Sequence, residues 1–349
     1  MYIRATGNIS PQLSFSQLLE QPAVYHGNRL ACIEPDYAKL IDAKMIRRMS
    51  RIIKIGVAAA IECLKESDVP MPGAIITGTA YGCLADTDLF LTKMVENREE
   101  LLTPTSFIQS THNTVGAQIA LLLKCHNYNN TFVHRGFSFE SALLDAVTFI
   151  KDQLAKDVLV GAVDEITNTS HIILSRFGLY KNNLTSNLDL FKTESKGTIA
   201  GEGAAFFLLA DQPSGKDYAE LKALHTFYKP VDFAETEKNI KSFLSSQSVS
   251  INDIDLVICG RNGDIKNDRV YQELQQLLFA NKTQIDYKHL CGEYPTSSAF
   301  ALWLAANILK SAKVPDVFEK KYSSEKLKSI LIYNHYRNIH HSLYLLCAC

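Results

Sequence analysis

No stretch of this chain stays apolar for the roughly 18 residues that a membrane span requires, and the opening MYIRATGNISPQ has no signal-peptide core. A cytoplasmic protein without a membrane span is expected. An excess of either charge is also missing: 36 Lys and Arg stand against 37 Asp and Glu, a formal net charge of −1. That balance excludes a global pull toward nucleic acid or an anionic surface. None of the eight cysteines forms a C-x-x-C pair. Cys32, Cys63, Cys83, Cys125, Cys259 and Cys291 are scattered, which argues against zinc and against a disulfide framework; they read as small buried hydrophobes. Cys347 and Cys349 read as the end of a strand. The fingerprint G-x-G-x-x-G is absent, so a loop such as GTAYGC is weak evidence for phosphate binding. Neither a metal nor a cofactor is expected.

What is present is an ordinary globular balance, 46% apolar and 21% charged over 349 residues. That length suits one large domain or two similar halves. The break at Gln212 to Gly215, with Pro213 and Gly215, is the candidate boundary and divides the chain into 1–212 and 213–349. In the first half, strands are read at 2–10 and 158–162, a buried strand entering a glycine-bearing loop over 73–83, and a long helix at 42–65 with Arg47, Arg48, Arg51 and Lys54 on its charged side. Helices follow at 87–97 and 116–124, with a Pro104 loop between them. Residues 181–197 are a polar loop and 197–211 a hairpin-like pair of strands. In the second half, strands at 221–228 and 254–259 alternate with helices at 234–246, 268–279 and 294–310. Two last strands, 330–333 and 342–347, enclose a polar loop, 334–341. Two passes of strand, glycine loop, helix and strand predict an α/β architecture with a duplicated core and mixed, mostly buried sheets.

One stretch organises the rest: Thr131 to Ala146, TFVHRGFSFESALLDA. An extended segment runs into Gly136, and Ala142, Leu143, Val147 and Ile150 then recur at helical spacing. A strand turning sharply into a helix can present a reactive side chain beside free backbone N–H groups and the positive end of the helix dipole.

The order of motifs resembles the β-ketoacyl synthases of the thiolase superfamily over almost the whole chain. GTAYGC fits that family's G-T-x-x-G loop, and PTSFIQSTHNTVGA is similar to the segment before its nucleophile. LVGAVDE looks like the strand after the nucleophile helix. GTIAGEGAAFFLL is similar to G-x-x-x-G-E-G-A, and KHLCGEYPTSSAFA to K-x-x-x-G-H-x-x-x-A-x-G-A. The resemblance implies a thiolase-like αβαβα layered fold with two related halves, a dimer, and acyl thioesters on an acyl carrier protein as the substrate class. The family reaction is a decarboxylative condensation, in which a thiolate carries the acyl chain and two imidazoles stabilise developing negative charge.

All three of those groups are missing. Matching TFVHRGFSFESA to the family's T-x-x-x-A-C-A-S segment sets Gly136 at the cysteine, and ICGRNGDIKND sets Gly260 at the first histidine. GEYPTSS sets Glu293 at the second histidine, while Lys288 matches the family's lysine. A carboxylate accepts hydrogen bonds and would repel a developing enolate. Ser138 matches the serine after the cysteine and reads as structural, with a replacement nucleophile as the lesser reading. Cys125 lies too early in the chain to substitute. His112, His289, His340 and His341 read as structural. The glycine-rich gate is replaced by His335-Tyr336-Arg337-Asn338, whose side chains would stiffen or fill it. His134, Arg135, Phe137, Phe139 and Tyr336 are the candidate tunnel-lining residues.

The chain is therefore similar to the chain-length-factor subunits of type II polyketide and aryl polyene systems. The resemblance implies a non-condensing partner of a competent β-ketoacyl synthase, which shapes the tunnel for the growing chain. Two rivals remain open. One is a diverged thioester enzyme using Glu293 and Lys288 as acid and base without a covalent intermediate. The other is a homodimeric scaffold that binds the acyl carrier protein.

Overall fold

Burial explains the strands. β4 reads DVLVGAVD, apolar almost without interruption and buried from Val158 to Asp164, as a strand covered on both faces must be. The computed structural model describes residues 1–182, 184–318 and 327–349; Asn183, within the polar loop read at 181–197, lies outside the described residues. The first half runs β1 (Tyr2–Ile9), α1 (Phe15–Glu20), α2 (Ala43–Ile46), α3 (Arg51–Ser67), β2 (Ala74–Gly78), α4 (Leu84–Glu96), α5 (Pro104–Gln109), α6 (Thr114–Leu123), β3 (Tyr128–Phe132), α7 (Ser138–Lys151), β4 (Asp157–Asp164), α8 (Asn168–Arg176) and β5 (Gly203–Ala210). The second runs β6 (Ala219–Tyr228), α9 (Phe233–Ser246), β7 (Leu256–Cys259), α10 (Ile265–Leu277), β8 (Thr283–Asp286), α11 (Lys288–Cys291), α12 (Ser298–Ser311), β9 (Ser329–Tyr336) and β10 (His340–Cys347).

The described strands form one ten-stranded sheet in the order β3-β2-β4-β5-β1-β6-β10-β9-β7-β8. Counted outward from the seam between β1 and β6, each half has its first, fifth, fourth, second and third strand in that order. The outer three strands of each half are parallel and the inner two antiparallel. The duplication read from the sequence is thus a repeat of topology.

Three cores stack between the layers. On one outer face Ile75, Leu159 and Phe206 meet α3 and α6; on the other Val257, Leu331 and Leu343 meet α9 and α10. Between the halves, Ile76, Val160 and Phe207 from one side and Ile258, Ile332 and Tyr344 from the other enclose α7 and α12. This is the αβαβα arrangement. α12 is buried nearly all round, as a central helix must be, while α7 buries Phe139, Ala142, Leu143, Ala146 and Ile150 and leaves Leu144 exposed. No helix of the described residues is long and apolar enough to cross a membrane.

Four local readings are corrected. The helix at 42–65 is two, because Ser50 adopts an extended conformation as the N-cap of α3. The Pro104 loop contains α5, with the proline in its first turn, where its missing N–H costs nothing. The segment 197–211 is a single strand, not a hairpin. Glu202 accepts hydrogen bonds from the Cys32 and Ile166 N–H groups, both at 2.9 Å, and from Arg51, which pins the preceding residues to neighbouring loops. The loop at 334–341 is a tight hairpin: β9 continues to Tyr336, and Arg337 and Asn338 turn with φ of 58° and 52°.

Candidate active site

β3 lies beside and parallel to β2, where the Thr131 and Thr77 hydroxyls are 2.7 Å apart. It hands the chain to one turn of 3-10 helix, Arg135–Phe137, and then to α7. Ser138 ties this turn. Its hydroxyl donates to the Arg135 carbonyl at 2.9 Å and accepts from the His134 N–H at 2.8 Å. Fully buried and engaged twice, it holds the bend. Gly136 sits at the apex, and a Cβ built there would lie 2.7 Å from Tyr336 Cβ and 3.0 Å from His340 Cβ. The position has no room for any side chain.

Gly260 follows β7 and is equally confined. A Cβ there would overlap Asn334 Oδ1 and lie 2.7 Å from the Tyr271 hydroxyl. Asn334 Oδ1 also accepts from the Tyr287 hydroxyl at 3.0 Å.

Glu293 stands between α11 and α12. Lys288 Nζ donates to both of its oxygens, at 3.0 and 2.8 Å, and Asn262 Nδ2 to one of them at 2.7 Å. Lys288 is fully buried and also donates to the His335 carbonyl at 3.4 Å. The carboxylate expected to repel negative charge therefore carries its own counter-charge. The end of β9 borders this region: Asn334 closes on Gly260, Tyr336 closes on Gly136, and the His335 carbonyl accepts from Lys288, the partner of Glu293.

Beside Glu293 lies a cavity of about 230 Å³. Tyr81, Tyr180, Tyr336, Asp164, Glu165 and Glu293 contribute to its wall, with Leu84, Ile166 and Ile173 as apolar lining. The Tyr81 and Tyr336 hydroxyls meet at 3.4 Å. Asp164 accepts from Thr79 Oγ1 at 3.0 Å, the Ala80 N–H at 2.8 Å and Thr296 Oγ1 at 2.7 Å. Burial raises its pKa, and these hydrogen bonds oppose the shift. Glu165 has fewer donors, and burial pushes it up to about 7. Glu293 faces this cavity; Lys288 is not part of its lining. Four polar cavity residues escaped the sequence reading: Tyr81, Tyr180, Asp164 and Glu165. The motif LVGAVDE, which ends in the last two carboxylates, was the available signal.

The candidate lining residues separate. Tyr336 lines the cavity. His134, Arg135 and Phe137 line a different, open hollow on the far side of Gly136. Phe139 is fully buried in the central core, with ring centroids 5.9 Å from Phe207 and 6.4 Å from Tyr344. Next to it Glu140 is buried too, accepting from Ser298 Oγ and the Tyr344 hydroxyl, each at 2.7 Å, and burial raises its pKa. His289 is buried against Phe191 and Phe318 and pushed down to about 4 by desolvation.

Residues 26–175 match the family description "Beta-ketoacyl synthase, N-terminal domain". No curated protein matches the chain in sequence. Among solved structures, the ishigamide ketosynthase/chain length factor is similar at a TM-score of 0.83 and 14% identity, with 100% of this chain and 98% of that one covered. A beta-ketoacyl synthase from Burkholderia phymatum STM815 gives 0.78 and 14%, with 100% and 99% covered. A ketosynthase in complex with its chain length factor from Xenorhabdus doucetiae gives 0.76 and 15%, with 100% and 98% covered. The fold is that of the thiolase-like ketosynthases, and the resemblance read from the sequence holds.

Proposed function

We propose that this chain is a non-condensing, ketosynthase-like subunit that pairs with an active β-ketoacyl synthase and shapes the acyl-chain tunnel, in fatty-acid- or polyketide-type biosynthesis. One observation carries the reading. The end of β9 closes on two of the positions where the family reaction needs a reactive side chain, Tyr336 on Gly136 and Asn334 on Gly260, and at the third Glu293 is bound by Lys288 and Asn262. A chain with no nucleophile, and no space for one, keeps its fold for a reason other than condensation. Pairing is the reason we favour. β3 forms one edge of the sheet, flanked by exposed Leu121, Val133 and Leu144, a surface suited to a partner's strand. Exposed Arg47 and Arg48 suit an acyl carrier protein. The thioester-enzyme reading is less well supported, because its base and acid, Glu293 and Lys288, are bound to each other.

The test is co-expression with candidate active ketosynthases. The expected result is a 1:1 complex whose malonyl-dependent elongation needs both chains, with this chain inert alone. Condensation by this chain alone would overturn the proposal.

A further inference from the structure

The cavity beside Glu293 is lopsided in charge. Asp164, Glu165, Asp264 and Glu293 line it against one cation, Arg337, which is exposed. Three of these acids are already satisfied. Asp164 takes donors from Thr79, Ala80 and Thr296. Asp264 accepts from the Lys266 and Asn267 N–H groups at 2.9 and 3.1 Å as the cap of α10, and from the Gly197 N–H. Glu293 has Lys288 and Asn262. Glu165 differs. It is only 7% exposed, yet Oε1 alone has a donor among the described residues, the Ala85 N–H at 3.0 Å. No ion pair reaches it among the described residues. Its charged neighbours on adjoining elements supply no counter-ion. Arg51 of α3 is bound by Glu202 and Glu34, while Glu202 and Asp86 of α4 carry charge of the same sign. Burial and then these acids hold the Glu165 carboxyl near 7, against the Ala85 N–H and Arg51. A cation placed at its free oxygen would favour the ionised form.

The rest of the wall suits the remainder of such a ligand. Tyr81, Tyr180, Tyr294 and Tyr336 line the cavity, and the face of a tyrosine ring attracts an ammonium group. Tyr180 is held by the His171 ring, stacked on it at 5.1 Å. Leu84, Ile173 and Leu174 provide an apolar strip. A buried carboxylate short of donors, set among aromatic rings beside apolar side chains, fits a cationic head on a hydrocarbon chain, and the same acids disfavour an anion. We propose that this cavity binds a small organic amine, its ammonium group on the free oxygen of Glu165 and its chain along Leu84, Ile173 and Leu174. The inference goes beyond the pairing role above and does not depend on it.

The test is calorimetric titration of the purified full chain with n-hexylamine, 1-hexanol and hexanoate, which share a chain and differ in head group. At about pH 8, hexylammonium is expected to bind about tenfold more tightly than hexanol, the effect of one buried hydrogen bond to a charged group, with hexanoate the weakest. An alkylammonium keeps its charge up to about pH 10, so the preference should shrink toward about pH 6 as Glu165 takes up its proton. Glu165→Gln should bind hexylammonium and hexanol alike. Ile173→Trp, at a half-exposed position of α8, should fill the cavity and weaken hexylammonium about tenfold while thermal melting stays unchanged. If Glu165→Gln does not fold, the pH series and Ile173→Trp decide in its place. Equal binding of amine and alcohol overturns the proposal. So does a preference undiminished at the lower pH or in Glu165→Gln, or an amine affinity untouched by Ile173→Trp. A chain that pairs with a ketosynthase but shows no amine preference sinks only this site. A chain that takes the amine but never pairs sinks only the chain-length reading.

Discussion

The two halves repeat one connection: an outer strand leading to the helix of the central layer. In the first half, β3 reaches α7 through Val133 to Phe137; in the second, β8 reaches α12 through Tyr287 to Ser297. The short connection is bare at its apex. Gly136 has no side chain, and Tyr336 and His340 close over it. The long one carries a buried ionic side chain. Glu293 is held there by a buried lysine and an asparagine. A bare position is stabilised by packing, whereas an ionic one depends on electrostatics, so the two connections should respond to different perturbations.

The largest response is expected at the ionic one. Lys288→Met leaves the Glu293 carboxylate buried with Asn262 as its remaining donor, and a broken buried pair typically costs about 3–5 kcal/mol. Urea unfolding should show that loss. The double variant Lys288→Met/Glu293→Leu should recover most of it, and a double variant as unstable as the single one would argue that the pair serves packing alone. A smaller loss is expected at the bare connection. Gly136→Cys must push its Cβ against Tyr336, an overpacking penalty of about 1–3 kcal/mol, and should give no condensation. A stable, acylated Gly136→Cys variant would break the comparison, since it would mean that the turn still presents a nucleophile.

The third response is a slope in pH, with no loss at neutral pH. His289 lies on the long connection and is held near 4, below its ordinary value of about 6.5. The unfolded chain therefore binds more protons than the folded one between those values. Stability from this group is complete above about pH 6.5 and falls as the pH drops toward 4, by at most about 1.4 kcal/mol per pH unit. His289→Gln should flatten that part of the stability profile. An unchanged slope would assign acid sensitivity to the other buried imidazoles, such as His341, also held near 4.

The sequence carried the layered fold because its signals are local: apolar runs such as IDLVIC and VLVGA, and motifs in a recognisable order. It also singled out Gly136, Gly260 and Glu293, since departures from a motif are visible without coordinates. What filled the space was not legible. Nothing in HYRN says that its strand extends to Tyr336 or that Asn334 and Tyr336 each close on a different glycine. These are contacts across about 75 and 200 residues of chain, and they depend on a hairpin turn set by two positive φ angles. Lys288 and Glu293 are five residues apart, yet their pairing is fixed by burial that only the assembled core imposes. The spacing over Thr87–Asn97 predicts a helix that overlaps α4, whereas α8 and the four-residue β8 are too short to carry a clear period.

The seam between the halves is narrow. β1 and β6 pair through only Tyr2 with Glu220 and Ile3 with Ala219, whereas β1 and β5 pair along seven positions. The sheet alone would be a weak hinge at that point. The joining is done instead by α7 and α12, whose shared core draws on both sides, and by the Glu140 carboxyl, which ties α7 to Ser298 of α12 and Tyr344 of β10. Cut at the seam, either half would expose the face of its central helix that packs on the other half. The chain should melt as a single cooperative unit despite its internal repeat, and the strand-to-helix turn at Gly136 persists because the helix it starts is structural to both halves.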